Sequence, residues 1–460
     1  MKKFPLTIAA TLAAASAFGQ SAAEPAKTIE SLMQAAHSIG VFNGNVLVAH
    51  NGNVIYEQFF GYADASRSRP LTNGYRFYLG SITKEFNGAA IVLLEQQGKL
   101  RLADKGARYL PAYPAWAQEV EIGQLLNYTS GLPDLPGETD AAMQDSLLKL
   151  KKLALRPGPA YLYSNANVFV QKKIIEKVTG LSYSTFLEKF LFEPCHVTGA
   201  AGQTSSDTRL FAMPFTNAFK PVEMNVPDNP GNFLTARDLY NWASCLSTGK
   251  LLSGPSIEKL GTAFGSGESS LGAAQFEAGK LQMHQHQGSG FNNESLLFSS
   301  DGDETHIELL TNNQNFKLFQ LKDAILAILH GQPYVVPKKS IYLDIREGLA
   351  ADFPEGIANY LRLRQSGKET YDFAAEPFDL ISTGRYLMRR EKFDEAIAIF
   401  EISTTFPLTP SDRSFAYGLI AEAWLKKGDT PMAVLYYRKA VEIDPQNKNA
   451  KGMLDQLKSN

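Results

Sequence analysis

The sequence predicts an α/β protein of the α+β kind, in which helices cover an antiparallel sheet and a smaller all-helical region follows. Three observations support this fold class. Strand patterns occur near both ends of roughly the first 335 residues, helical patterns fill the middle, and strand patterns disappear beyond that point. A sheet built from both ends of a segment must bury at least one face, so the intervening helices are expected to cover it.

The first residues have the order of a cleavable export signal. Met1-Lys2-Lys3 gives a cationic start, an apolar stretch follows at 4–18, and small residues cluster at 17–23. The apolar stretch is shorter than the roughly 18 residues that a membrane span needs. We therefore expect residues 1–23 to be removed and the mature protein to be exported, periplasmic or secreted, with no membrane span.

Composition limits the partners of the protein. The 460 residues carry a formal net charge of −2 and contain no basic run, so no nucleic-acid partner is expected. A chain of this length suggests two or three domains. Cys195 and Cys245 are the two cysteines. An exported protein can pair them, but the sequence leaves a disulfide and two buried thiols equally open.

Local patterns place the elements of the first region in order. An amphipathic helix is predicted at about 27–39, and a hairpin follows in which Asn51-Gly52 joins two strands. A helix is expected from Ser81 to Gln97, where Gly98 ends it. The remaining elements are a loop-rich stretch at about 199–235, helices at 122–127, 167–179 and 235–247, and strands at 44–50, 53–60, 295–300 and 306–310.

The C-terminal region contains an internal repeat. Gly384 and Ala396 recur as Ala421 and Ala433, and both pairs are 37 residues apart. Small residues at matched positions let the two helices of a hairpin approach closely. The repeat resembles the tetratricopeptide repeat, whose second helix commonly ends at a proline such as Pro445. We expect no part in bond breaking for this region, but a role in contacting a protein partner or in packing against the rest of the chain.

Three segments carry residues suited to chemistry. Ser81 and Lys84 would share one face of a helix, where the lysine can accept the serine proton or hold another base deprotonated. A second segment reads Tyr163-Ser164-Asn165, and a third spans residues 284–291. The pattern His284-x-His286 would place both rings on one face of a strand, but no third ligand has a telling spacing. We therefore expect no metal and no cofactor.

Together and in this order, these segments resemble the class C β-lactamase-like serine hydrolases, a family that includes penicillin-binding proteins, D-stereospecific peptidases and esterases. The resemblance covers roughly residues 27–335. Stretches that support it include GSITKEFNGAAIVLLEQQGKL, IGQLLNYTSGLPDL and YSNANVFVQKKIIEKVTG. It implies a β-lactamase/transpeptidase-like fold for residues 24–335, followed by a helical connector at 336–378 and the repeats at 379–460.

The resemblance also implies roles for individual residues. Ser81 would be the nucleophile, Lys84 its activating partner and Tyr163 the general base and acid. Asn165 would contact substrate or hold Lys84, and the other predicted substrate-binding and oxyanion-binding residues are His286, Gly288 and Ser289. The third motif of the family is Lys-Thr-Gly or His-x-Gly, which His286-Gln287-Gly288 matches. Counting back from Gly290-Phe291 instead selects His284, so the sequence leaves the choice of histidine open.

The function expected from these roles is acyl transfer on esters or amides. A histidine in the third motif is mostly neutral at neutral pH, which favours an esterase or D-amino-acid peptidase over a dedicated β-lactamase. The alternatives are a β-lactamase and a non-catalytic protein that binds a peptidoglycan-like ligand and uses its repeats as an interaction platform. The sequence does not indicate which group activates the deacylating water.

Overall fold

A computed structural model of the chain describes residues 23–135, 139–198, 208–224, 232–265 and 267–459. The predicted export signal lies almost wholly outside these residues, as does much of the predicted loop region at about 199–235. In the described part of the chain, no helix combines the length and the hydropathy that a membrane crossing requires.

The predicted antiparallel sheet is confirmed, and both ends of the first region build it. The strands are β1 (Gly44–His50), β2 (Asn53–Phe60), β3 (Phe77–Tyr78), β4 (Phe233–Leu234), β5 (Ala273–Glu277), β6 (Lys280–Gly290), β7 (Asn293–Ser300) and β8 (Thr305–Thr311). Six of them form one sheet in the order β2-β1-β8-β7-β6-β5, while β3 pairs with β4. Strand β1 lies antiparallel to β8, which joins the N-terminal hairpin to the late strands.

Helices fill the middle of the first region, as the periodicity predicts. The helices of the first region, including α1 before the strands and α9 after them, are α1 (Ala23–Ser38), α2 (Lys84–Gln96), α3 (Ile122–Leu126), α4 (Asp140–Lys149), α5 (Asn165–Thr179), α6 (Tyr183–Leu187), α7 (Ala236–Ser247), α8 (Gly254–Gly261) and α9 (Leu318–Leu329). Side-chain caps fix where two of them begin. Ser164 accepts a hydrogen bond from the amide of Ala166 at the start of α5, and Thr235 accepts one from Asp238 at the start of α7.

The sheet buries both of its faces. Successive side chains of a strand point to opposite faces, so Leu47 packs into the large core that contains α2, α5 and α7. Its neighbours Val46 and Val48 pack into a second core with α1 and α9. The sheet therefore separates two hydrophobic layers, and α2, which follows Ser81 in the chain, lies in the larger layer.

The two cysteines form a disulfide, which decides the alternative that the sequence leaves open. Cys195 and Cys245 are bridged, with their Cα atoms 5.3 Å apart. Both residues are buried. The bond ties the chain after α6 to the last turn of α7.

Between residues 376 and 459 the C-terminal region is a series of helices joined by short connections, and two further helices precede it. The helices are α10 (Tyr342–Ala351), α11 (Phe353–Ser366), α12 (Glu376–Met388), α13 (Phe393–Thr404), α14 (Pro410–Lys427), α15 (Thr430–Ile443) and α16 (Lys448–Ser459). The small residues of the repeat are buried on successive helices, Gly384 on α12, Ala396 on α13, Ala421 on α14 and Ala433 on α15. The assignment of these helices to tetratricopeptide repeats, and the exact domain boundaries, stay predictions.

Candidate active site

Ser81 lies in a short 3-10 turn rather than at the start of the α-helix itself. The turn spans Gly80–Thr83, and α2 begins at Lys84. In a 3-10 helix the side chains at i and i+3 eclipse one another, so this geometry places Lys84 over Ser81 even more directly than the predicted α-helix would. Lys84 Nζ donates a hydrogen bond to Ser81 Oγ at 3.2 Å.

Tyr163 completes the group around the Ser81 hydroxyl. Its hydroxyl lies 2.8 Å from Ser81 Oγ, although the two residues are 82 positions apart in the chain. Lys84 Nζ lies 5.1 Å from the centre of the Tyr163 ring, and the Tyr128 ring packs against that ring with a centroid separation of 4.8 Å. The cap at Ser164 ends the loop and begins α5, which fixes where Tyr163 enters the site.

Burial changes the protonation of both groups next to Ser81. Burial lowers the pKa of Lys84, while the charges of Tyr78, Glu268 and Asp134 oppose this change without cancelling it. Burial raises the pKa of Tyr163 well above its ordinary value, and the charge of Glu268 raises it further. The lowered pKa of Lys84 shifts it toward the neutral amine, and the raised pKa of Tyr163 keeps its phenol protonated.

The backbone of β6 lies directly against the turn that carries Ser81. A Cβ atom added to Gly288 would lie 1.7 Å from Leu79 O and 2.8 Å from the Ser81 nitrogen. A Cβ added to Gly80, which has a φ of +57°, would lie 2.4 Å from the Ser289 nitrogen. Only glycine at both positions permits this approach. The amides of Ser81 and Ser289 are thereby brought together at one site, as an oxyanion-binding pair requires.

The contact of Gly288 with Ser81 selects the register of the third motif. In this register His286-Gln287-Gly288 is the segment that edges the site, and His284 lies one pleat further along β6. The two histidines nevertheless share a face and a partner. His286 Nδ1 lies 2.7 Å and His284 Nε2 lies 2.8 Å from the same oxygen, Glu85 Oε1.

The structure places His286 against Glu85, and its contact with substrate stays a prediction. His286 is 3% exposed and its ring lies against Glu85, a fully buried residue of α2. Trp242 Nε1 donates to the other carboxylate oxygen of Glu85 at 2.8 Å. Burial by itself raises the pKa of Glu85, but the charges and hydrogen bonds of His284 and His286 outweigh burial and hold it at about 2.

Glu85 is thus a residue that the motifs did not single out. Its carboxylate joins β6, which carries Gly288 and Ser289, to α2, which follows Ser81 and Lys84. The signal in the sequence is an acidic residue directly after the S-x-x-K motif, because a carboxylate that is buried on α2 requires a charged or hydrogen-bonding partner.

Replacing Glu85 by alanine is expected to lower the free energy of unfolding by about 3–5 kcal/mol, because the buried rings of His284, His286 and Trp242 lose the carboxylate to which they hydrogen-bond. Urea denaturation measures the change. The control is Glu95→Ala on the same helix, where Glu95 pairs with half-exposed Lys259 at 2.9 Å. That exposed pair is expected to contribute less than about 1 kcal/mol. Equal, small losses for the two variants would contradict a stabilising role for Glu85.

The structure places Asn165, the remaining predicted site residue, at the start of α5. Asn165 is the first residue of α5, its side chain is exposed, and among the described residues it has no hydrogen-bond partner. A contact of Asn165 with Lys84 is therefore not observed, and its contact with substrate stays a prediction.

Within the described ranges, no group of three or more histidine, cysteine or acidic residues is placed to hold a metal ion.

A serine hydroxyl flanked by a buried lysine and a tyrosine, with two facing amides nearby, is the arrangement that serine-dependent acyl transfer uses. Comparison with known proteins agrees with this class. Residues 26–325 match the family described as Beta-lactamase. The chain belongs to the beta-lactamase family of serine hydrolases, and acyl-enzyme chemistry is the chemistry of that class.

The relatives include two penicillin-binding proteins. Penicillin-binding protein 4* of Bacillus subtilis is 37% identical over 180 residues, which are 36% of this chain and 40% of that protein. A putative penicillin-binding protein, PbpX, of the same organism is 30% identical over 306 residues, which are 63% of this chain and 75% of the relative. The match thus spans less than half of the first relative.

Solved structures show the same fold at lower sequence identity. FmtA from Staphylococcus aureus superposes with a TM-score of 0.57 and 20% identity, over 67% of this chain and 90% of FmtA. EstCE1, a hydrolase with promiscuous acyltransferase activity, gives 0.56 and 22%, over 67% of this chain and 99% of EstCE1. A class C beta-lactamase gives 0.57 and 19%, over 68% of this chain and 97% of that enzyme.

Proposed function

We propose that the protein is an exported serine hydrolase that cleaves esters or amides through an acyl-enzyme on Ser81, with esterase or D-amino-acid peptidase activity. The observation that carries the proposal is the 2.8 Å separation of Ser81 Oγ from the Tyr163 hydroxyl, with Lys84 Nζ at 3.2 Å from the same oxygen. Such distances are those at which a nucleophile can pass its proton to a base.

The proposed acylation begins with attack of Ser81 Oγ on the substrate carbonyl. The neutral amine of Lys84 takes the serine proton, because burial lowers the pKa of Lys84 while Tyr163 stays protonated. The amides of Ser81 and Ser289 bind the oxyanion. Tyr163 donates its proton to the leaving group and regains one from Lys84. Water then hydrolyses the acyl-enzyme and restores the free hydroxyl.

The third motif supports an esterase or peptidase over a dedicated β-lactamase. A lysine at the position of His286 would offer a permanent cation to a substrate carboxylate. Here that position holds an imidazole whose Nδ1 hydrogen-bonds with the buried carboxylate of Glu85. The ring thus lies on a buried carboxylate instead of standing free in the site. We propose that small esters or D-amino-acid amides, which need no such cation, are the substrate class.

The proposed protein has a hydrolase domain followed by a C-terminal repeat domain. Residues 24–335 would form the hydrolase domain and residues 336–378 a helical connector. Residues 379–460 would form tetratricopeptide-like repeats that contact a protein partner. Residues 1–23 would direct export to the periplasm or the medium.

A hydrolysis screen of the purified mature protein tests the proposal. We expect turnover of short-chain p-nitrophenyl esters or D-amino-acid amides, an initial burst of product, and covalent labelling by a fluorophosphonate. Turnover of nitrocefin above that of the other substrates would instead favour a β-lactamase. Ligand binding with neither turnover nor labelling would favour the non-catalytic binding protein.

A further inference from the structure

The C-terminal helices, taken here as α10–α16, share a hydrophobic core with the segment that leads to Tyr163. Leu155 and Ala160 are 5% and 0% exposed. Among the described residues, the other fully buried members of their cluster come from residues 341–454. Tyr163 follows three residues after Ala160. The loop that brings Tyr163 to Ser81 is therefore packed against the C-terminal helices rather than against the sheet.

Helix α16 lies directly against this loop. The backbone amide of Arg156 donates a hydrogen bond to Gln456 Oε1 at 3.0 Å. A Cβ atom added to Gly452 would lie 2.6 Å from the carbonyl oxygen of Pro159 and 3.0 Å from the Ala160 Cβ. Since the closer atom belongs to the backbone and cannot rotate away, even alanine at position 452 would separate α16 from the loop.

A second contact joins the C-terminal helices to β6. Arg346 of α10 is 5% exposed and donates a hydrogen bond to the side-chain oxygen of Asn292. Its guanidinium lies 4.7 Å from the centre of the Tyr342 ring and 4.9 Å from that of Tyr386. Stacking on two rings fixes the orientation of the guanidinium, so the hydrogen bond to Asn292 is held in place.

Asn292 belongs to the turn that follows Ser289 and joins β6 to β7. Phe291 and Asn292 have φ values of 49° and 64°, the conformation of a two-residue hairpin turn. Phenylalanine rarely adopts positive φ, and such a conformation persists when its surroundings hold it. The hydrogen bond from Arg346 is one interaction that holds the turn. The side-chain amide of Asn292 provides a second by donating to Phe215 O at 3.4 Å.

We propose that the C-terminal helices position the catalytic centre, because they hold both the Tyr163 loop and the turn after Ser289. Gly452 and Arg346 are then positioning residues, which act through Tyr163 and through the Ser289 amide. The inference rests on the proposed function and extends the expectation that the C-terminal region packs against the rest of the chain without taking part in bond breaking. A displacement of about 1 Å at a reacting group can slow a reaction about 100-fold.

Two pairs of variants of the full chain test the inference. Gly452→Ala is matched by Gly418→Ala on α14, where an added Cβ meets nothing within 4 Å. Arg346→Met is matched by Arg362→Met on α11, since Arg362 also donates to an asparagine, Asn359, at 2.6 Å but remains exposed. Single-turnover kinetics with a p-nitrophenyl ester give the acylation rate constant and the apparent dissociation constant separately.

We expect Gly452→Ala and Arg346→Met to lower the acylation rate constant about tenfold or more, with the dissociation constant within about twofold of the wild-type value. The two control variants should acylate at the wild-type rate. A purely structural role would lower stability without this selective loss, so thermal unfolding is measured on every variant. If Gly452→Ala fails to fold, Gln456→Leu replaces it, because it removes only the hydrogen bond to the Arg156 amide.

The outcomes separate this inference from the proposed function. Wild-type acylation rates in folded Gly452→Ala and Arg346→Met, or equal losses in the controls, would overturn the role of the C-terminal helices and leave the hydrolase intact. A wild-type protein that neither turns over an ester nor reacts with a fluorophosphonate would overturn the proposed function itself.

Discussion

Ser81→Ala is expected to abolish turnover while the fold stays intact. In the proposed mechanism the hydroxyl forms the acyl-enzyme, and neither Lys84 nor Tyr163 can replace it as a nucleophile at the carbonyl. In a serine protease, loss of the nucleophile lowers kcat by about 10⁶-fold and leaves only the binding and oxyanion terms. We expect a loss of similar size here, measured as hydrolysis of the best substrate from the screen.

Covalent labelling gives an independent measure of the same prediction. Fluorophosphonate labelling, followed by mass spectrometry, should disappear in Ser81→Ala and remain in Ser31→Ala, whose exposed serine lies on α1. Circular dichroism should show the same helical signal for both variants. Wild-type turnover by Ser81→Ala would contradict the serine-hydrolase proposal, whatever the fold.

Lys84→Ala is expected to have the second largest effect, a loss of about 10²–10⁴ in kcat, the range for a general base. Lys84 must be neutral to accept the Ser81 proton, and a lysine is neutral above its pKa. Burial lowers that pKa below the ordinary value of 10.5. The wild-type rate should therefore rise with pH through a midpoint below 10.5.

The pH profile also identifies the base. In Lys84→Ala the limb that rises with pH should vanish, whereas in Tyr163→Phe it should persist at a lower rate, because Tyr163 stays protonated and acts on the leaving group. The exposed Lys99→Ala variant serves as the control and should keep the wild-type profile. If the rising limb disappears in Tyr163→Phe and persists in Lys84→Ala, the two roles are exchanged.

The sequence predicted elements whose residues lie close together in the chain. The hairpin of β1 and β2 follows from the apolar stretches on either side of Asn51-Gly52, and its bounds agree with the structure. Strand β6 was harder to foresee, because its inward positions hold His284 and His286 rather than apolar residues. One nitrogen of each ring lies against Glu85 Oε1, and no local pattern reveals a partner 199 and 201 residues away.

The sequence by itself determined the pairing of Ser81 with Lys84, because a spacing of three residues brings two side chains together in any helical turn. Tertiary structure decided the rest of the site. It brought Tyr163 to Ser81, bound His286 to Glu85 and set Arg346 against Asn292. The physical reason is that each of these contacts joins elements distant in the chain. Their distances depend on how whole helices and strands pack, whereas residue spacing fixes only what lies within one turn or one pleat.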